Sequence, residues 1–287
     1  MSKLSPNAAF LGSLAVGAVL ALFPNAHLWI WVVFILAVAL PVTGLATFIV
    51  LNGLPKGMRQ NSATELQPTG LGSPWLLAGV AVAAIGLFLL FPSLDLVLAR
   101  MFFGPASGFA GRNAWGATGR FLGYVLPFLV LAAYIFAWLA KRQGWPAPFH
   151  PRGRDVMFLA LAMAIGPGLV VNLGMKDHLH RPRPTHVAEF GGTKEFRPFY
   201  RFDGGCVKNC SFPSGETSEA FWMMAPASLV PVPWRPLAMA GAVAFGALVG
   251  LLRMAFGGHF LSDVVFAALI MWALLILLRW ILYARVT

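Results

Sequence analysis

The sequence predicts an all-α, polytopic membrane helix bundle, and two observations carry that prediction. Of 287 residues, 59% are hydrophobic and 11% are charged, less than half the charged share usual in soluble domains. A soluble domain of this length has too little interior to hide so much apolar surface. Several stretches with almost no charge also approach the ~20 residues that cross the hydrocarbon core of a bilayer.

Eight spans follow in order, at residues 8–23, 28–51, 75–91, 121–140, 156–175, 215–232, 237–252 and 260–283. The first two are joined by a tight turn at 24–27, and Pro-Trp-Arg-Pro at 233–236 separates the sixth from the seventh. Pro41, Pro127, Pro167 and Pro226 fall inside spans, where membrane helices accommodate proline by kinking. Residues 1–74 are expected to form an N-terminal transmembrane hairpin with a cytoplasmic loop, and residues 75–287 a six-helix core. Lys3 and the apolar run behind it have the look of a secretory signal. A small-x-small cleavage site is missing and a second span follows at once, so the segment is read as retained.

Orientation comes from short loops. Lys141, Arg142, Arg152 and Arg154 crowd the connection between the fourth and fifth spans, which marks it as cytoplasmic. Alternation then places residues 91–120, 176–214 and 253–259 on the periplasmic side of a bacterial inner membrane. That side carries about as many basic residues as the inner one, so its cations have a source other than orientation. The net charge is +11, but no basic helix or RNA-binding motif accompanies it, which argues against nucleic acid as a partner.

Within 91–120, Leu94, Leu96, Leu98, Met101, Phe102 and Phe103 stand beside Asp95 and Arg100. The segment either lies flat in the interface or is an ordinary connecting loop. Trp29, Trp75 and Trp222 are read as interface belts. The two cysteines, Cys206 and Cys210, share one polar loop. They are either free thiols, half of a metal site or a local disulfide; a zinc site needs about four ligands, and a periplasmic loop favours the disulfide.

Three segments end at the same membrane face. Lys176-Asp-His-Leu-His-Arg-Pro-Arg183-Pro184 closes the fifth span, Phe212-Pro-Ser214-Gly215-Glu216 opens the sixth, and Arg253-Met-Ala-Phe-Gly-Gly-His259-Phe-Leu-Ser-Asp263 joins the last two. Lys176, Arg183 and Arg253 suit a dianion through charge-assisted hydrogen bonds. Ser214 and Gly215 stand where a helix begins, with free N–H groups that favour phosphate. His259 and Asp263 are four apart and share a helical face, so the carboxylate can hold one ring nitrogen and leave the other as a nucleophile. Taken singly, each feature has a plainer reading as an interfacial anchor, a structural hydrogen bond or a helix cap.

Together they resemble the signature of the type 2 phosphatidic acid phosphatase superfamily: Lys-x6-Arg-Pro, then Pro-Ser-Gly-His, then Ser-Arg-x5-His-x3-Asp. The resemblance runs from about Trp75 to the C-terminus. It implies a six-helix core and a phosphohistidine mechanism that uses neither metal nor cofactor. It makes His259 the nucleophile, Asp263 its orienting partner, and Lys176, Arg183, Ser214, Gly215 and Arg253 the phosphate cradle. Two positions depart from the pattern. Leu252 replaces a serine, and Glu216 replaces the histidine that protonates the leaving group. Glu216 serves as the acid itself, or the leaving group needs little protonation, or His178, His180 or His186 takes over, or the position is inactivated.

The expected function is hydrolysis of a membrane lipid phosphate: lipid A, polyprenyl diphosphate or phosphatidylglycerophosphate. Lys194, Arg197, Arg201 and Lys208 in the outer loop suit the large anionic headgroup of lipid A. Phosphotransfer to another lipid, or lipid-phosphate binding or transport without catalysis, are the alternatives, and the oligomeric state is left open. The orientation has a direct test. Single cysteines placed in 176–214 should react with an impermeant maleimide from the periplasm, and those in 141–155 only after the inner membrane is opened. Reversed labelling overturns the assignment of the outer face.

Overall fold

The computed structural model describes residues 71–147 and 149–283; the expected hairpin spans at 8–23 and 28–51 lie outside them. Helix α1, Pro74–Leu90, opens with the Ser73 hydroxyl accepting from Leu76 N at 3.2 Å and with proline at its first position, where a missing N–H costs nothing. Pro92 follows, and the chain turns by 83° into the short helix α2, Leu94–Arg100. Helix α2 buries Asp95 and Ala99 and leaves Val97 exposed. A two-stranded ribbon, β1 Phe103–Gly104 with β2 Gly108–Phe109, leads on to α3, Ala114–Arg142.

Helix α3 is longer than the apolar pattern suggests, because Asn113 caps it by accepting from Gly116 N at 2.8 Å. Arg120, expected in the outer loop, is therefore on the second turn of a helix. Helix α4, Gly153–Met163, is capped by Asp155, which accepts from Arg152 N at 3.0 Å and takes the Tyr283 hydroxyl at 2.8 Å. It continues as wider π-helical turns over Ala164–Met175. Pro167 within that stretch lacks an N–H and crowds the preceding turn, and π turns recur at functional sites.

The expected sixth span is not one continuous helix. It consists of α5, Gly215–Phe221, and α6, Met224–Ser228, both buried. Trp222 lies between them, fully buried, and donates its indole N–H to Leu159 O at 3.0 Å. It is a core residue and not an interface anchor, because its one donor is satisfied inside the bundle. Trp75 is exposed. Helices α7, Arg235–Ala255, and α8, Leu261–Tyr283, complete the order. Among the described residues four helices, α3, α4 with its π continuation, α7 and α8, are long and apolar enough to cross a membrane, or five if α1 and α2 count as one bent span. Of the six spans expected in residues 75–287, five have a helix in their place and the sixth is broken into the buried pair α5 and α6.

The core gathers around that inner pair: Phe158, Leu159, Phe221, Trp222, Met271 and Leu275 are buried together. A second cluster, Ala99, Phe109, Val187, Phe190 and Phe260, lies apart from the first. Helix α7 approaches α5 closely because position 246 is glycine; a Cβ there would fall 2.5 Å from the Phe221 ring. Gly246→Val should overpack this contact and cost about 1–3 kcal/mol. A lower melting midpoint in detergent is the expected reading, and an unchanged one would show that the helices separate freely.

Candidate active site

The three motif segments converge at one end of the bundle. His259 lies in the turn between α7 and α8 with 1% of its surface exposed. Its Nδ1 is 2.7 Å from the Ser211 carbonyl oxygen. A carbonyl can only accept, so Nδ1 carries the hydrogen and Nε2 keeps the lone pair. Asp263, expected to hold that nitrogen, stands 3.6 Å from it. Asp263 Oδ2 instead accepts from Ser211 Oγ at 2.5 Å and Phe260 N at 2.7 Å. The carboxylate acts on the ring through charge, while the carbonyl fixes the tautomer. Burial pushes the imidazole down from its ordinary value of 6.5 to about 4, with Arg253 and Arg183 adding to the fall and Asp263 opposing it.

A polar cavity of about 300 Å³ adjoins this turn, lined by Arg112, Arg120, Arg183, Thr185, His186, Lys208, Asn209, Arg253, Phe256 and Gly258. Of the expected cradle, Arg183 and Arg253 reach it. Arg183 donates to Asn209 O at 3.0 Å and Asn209 Oδ1 at 2.6 Å. Asn209 belongs to the loop closed by the Cys206–Cys210 disulfide and is tied in turn by its N–H to Asp177 Oδ1 at 2.6 Å. Arg253 is buried, and its Nε lies 3.4 Å from Glu216 without hydrogen-bond geometry. Burial pushes the Arg183 guanidinium and the Lys176 ammonium below their ordinary ranges, and neighbouring arginines add to the fall in each.

The other expected residues stand around the cavity without lining it. Lys176 Nζ lies 3.5 Å from Asn172 Oδ1. Gly215 leaves room for both side chains, since a Cβ there would meet Asn172 Oδ1 at 2.5 Å and Lys176 Nζ at 3.3 Å. The Ser214 hydroxyl is turned onto α5, 2.7 Å from Thr217 Oγ1 and 3.4 Å from Thr217 N, so it caps the helix. Glu216 is held by Arg120 through three contacts of 2.6, 2.9 and 3.0 Å, a bidentate pair that favours the ionised carboxylate. In the outer loop Arg197 pairs with Glu195 at 2.7 Å and Arg201 with Asp203 at 2.6 Å. Of the four outer-loop cations only Lys208 lines the cavity.

Sequence reasoning passed over Arg112, Arg120, Arg181, Asp95 and Ser211. Arg181 had a visible signal, since it lies inside the first motif two residues before Arg183. Arg120 had none, because the helix that presents it begins before the apolar run does. Among the described residues no group of three or more His, Cys, Asp or Glu side chains is placed to hold a metal ion.

Comparison with known proteins places the sequence among relatives. A model of the PAP2 superfamily, the type 2 phosphatidic acid phosphatases, matches residues 155–287. The lipid A 4'-phosphatase of Francisella tularensis subsp. novicida (strain U112) is 36% identical over 211 residues, covering 69% of this chain and 88% of that protein. The lipid A 4'-phosphatases of Rhizobium leguminosarum and Rhizobium etli are each 32% identical, covering 64% and 70% of this chain and 84% and 88% of theirs. No solved structure matches.

The buried imidazole has a measurable consequence for stability. Its value in the folded chain lies below that of the unfolded chain, so its contribution is complete above about pH 6.5 and is lost as pH falls through about 4. Between those limits His259 should cost the fold up to about 1.4 kcal/mol per pH unit. His259→Gln should therefore lose less of its melting midpoint than the wild type between the two pH values. Equal losses would mean that the ring is not held neutral by the fold.

Proposed function

This chain belongs to the PAP2 superfamily, and on that footing we propose that it hydrolyses a phosphate monoester of lipid A, releasing phosphate at the periplasmic face of the inner membrane. The single observation that carries the chemistry is a neutral, tautomer-fixed imidazole at the edge of a cavity crowded with guanidinium groups. The relatives named lipid A 4'-phosphatase support the substrate.

His259 Nε2 attacks phosphorus in line, forming an N–P bond as the bond to the sugar oxygen breaks. Arg253 and Arg183 take the equatorial oxygens, whose charge grows in the transition state. Lys176 adds positive charge from behind Gly215. Water then attacks phosphorus, and the N–P electron pair returns to the ring. Glu216 occupies the position of the family's proton donor. Bidentate on Arg120, it serves instead to hold that arginine beside Arg253 over the cavity. The sugar alkoxide takes its proton from His186 or from water. His186 lines the cavity, and burial and the neighbours Arg183, Arg112 and Lys194 push its imidazole below its ordinary range, whereas a phosphate dianion beside it favours the protonated form.

A panel of phosphorylated lipids decides the reading. Purified protein should release phosphate from lipid A faster than from polyprenyl diphosphate or phosphatidylglycerophosphate. His259→Ala should abolish both release and acid-labile labelling of the protein by radioactive phosphate. Glu216→Gln should lose a similar factor on lipid A and on a diphosphate; a loss of ~10²-fold or more confined to the sugar phosphate would restore Glu216 as the acid. Full activity in His259→Ala would end the phosphohistidine mechanism.

A further inference from the structure

Behind His259 lies an ionic cluster that the mechanism above does not use. Arg181 is 1% exposed. Its Nη1 donates to Asp263 Oδ1 and, at 2.7 Å, to Ser262 Oγ; its Nη2 donates to Asp95 Oδ2 at 2.7 Å, and its Nε to Arg197 O at 2.9 Å. The guanidinium carbon lies 4.6 Å from the centre of the Phe260 ring. Asp95 accepts further bonds from Ser262 N at 2.8 Å and Ser262 Oγ at 2.6 Å. One cation thus stands between two buried carboxylates, and only one of these, Asp263, faces the nucleophile.

A buried ion cluster is weak evidence for stability, since apolar packing of equal volume serves as well or better. Charge bookkeeping at His259 supplies a different reason. Arg253 and Arg183 disfavour a positive ring, while Asp263 favours one; Glu216 also feels the ring's charge. Arg181 alone would cancel Asp263. Asp95 adds the second negative charge, which leaves the cluster at a net −1.

We infer that Asp95 and Arg181 are positioning residues for the nucleophile: they lock Asp263 in place and hold the buried cluster one charge negative, ready for a cationic ring. The inference rests on the phosphohistidine reading. Attack through Nε2 leaves the ring positive while Nδ1 keeps its hydrogen, and the cluster then becomes neutral overall. When water breaks the N–P bond, the electron pair returns to Nε2 and the net −1 is restored.

The test uses variants that change the count in opposite directions. Asp95→Asn brings the cluster to zero, Arg181→Met to −2, and the double variant back to −1. Histidine-labelled NMR of the full chain in detergent should show His259 titrating about one pH unit higher in Arg181→Met and returning toward the wild-type value in the double variant. Phosphate release from lipid A should fall about 10²-fold in kcat in both single variants, with little change in KM. A merely structural role predicts less folded protein and no ordered series of titrations. No rise in Arg181→Met, or no return in the double variant, overturns the inference. Should Arg181→Met fail to fold, acid-quenched phosphohistidine decides: a level about 10-fold lower in Asp95→Asn than in the wild type supports the inference, and an equal level overturns it. Wild-type protein that releases no phosphate from any lipid ends the proposed function, while the titration still decides the charge inference.

Discussion

A guanidinium cut off from water joins three distant stretches of this chain. Withdrawing Arg181 from solvent costs several kcal/mol unless its donors are filled, and they are filled by Asp263 and Ser262 of α8, Asp95 of α2 and the Arg197 carbonyl. The requirement is mutual, because each buried carboxylate needs donors as much as the cation needs acceptors. Once Asp263 is fixed, Ser211 bonds to it, and the Ser211 carbonyl fixes the hydrogen of His259. The tautomer of His259 thus depends on a carboxylate in a short helix far from it in sequence.

The cavity lined by Gly258, next to His259, poses the opposite problem. Arg112, Arg120, Arg183 and Arg253 face a common space, and like charges at such range repel. The protein spreads the load. Arg183 is tied to Asn209 on the disulfide-closed loop, Arg112 to the Phe256 carbonyl at 3.1 Å, and Arg120 to Glu216. Arg253 Nε remains without a hydrogen-bond partner. A phosphate group brings the oxygens that such a set of donors lacks. Glu216 makes sense in this light: a carboxylate at the start of α5 balances arginines that a histidine would not.

The π-helical end of α4 and the broken pair α5 and α6 belong to the same arrangement. Regular helices would carry their side chains past one another. The wider turns before Lys176, and a glycine at 215 that leaves room for Asn172 and Lys176, bring a lysine beside the start of α5. Within the buried pair, Ser218 and Ser228 bond to carbonyls three residues back, and Trp222 between the two helices bonds to Leu159.

Sequence alone determined the membrane class, the order of the long helices and the three segments that meet at the site. Hydropathy and short spacings are properties of neighbouring residues, and His259, Asp263, Arg183 and Arg253 are each marked by such a spacing. The tertiary structure decided what each residue does there. It turned Ser214 into a cap, tied Glu216 to Arg120, withdrew Trp222 from the interface and broke the sixth span. It also paired Asp95, which read as one acid in an apolar segment, with Arg181. That pairing was illegible because its partners are 86 positions apart, and those joining Asp95 to Ser262 are 167 apart. No local pattern encodes such separations; the attraction between buried opposite charges brings them together.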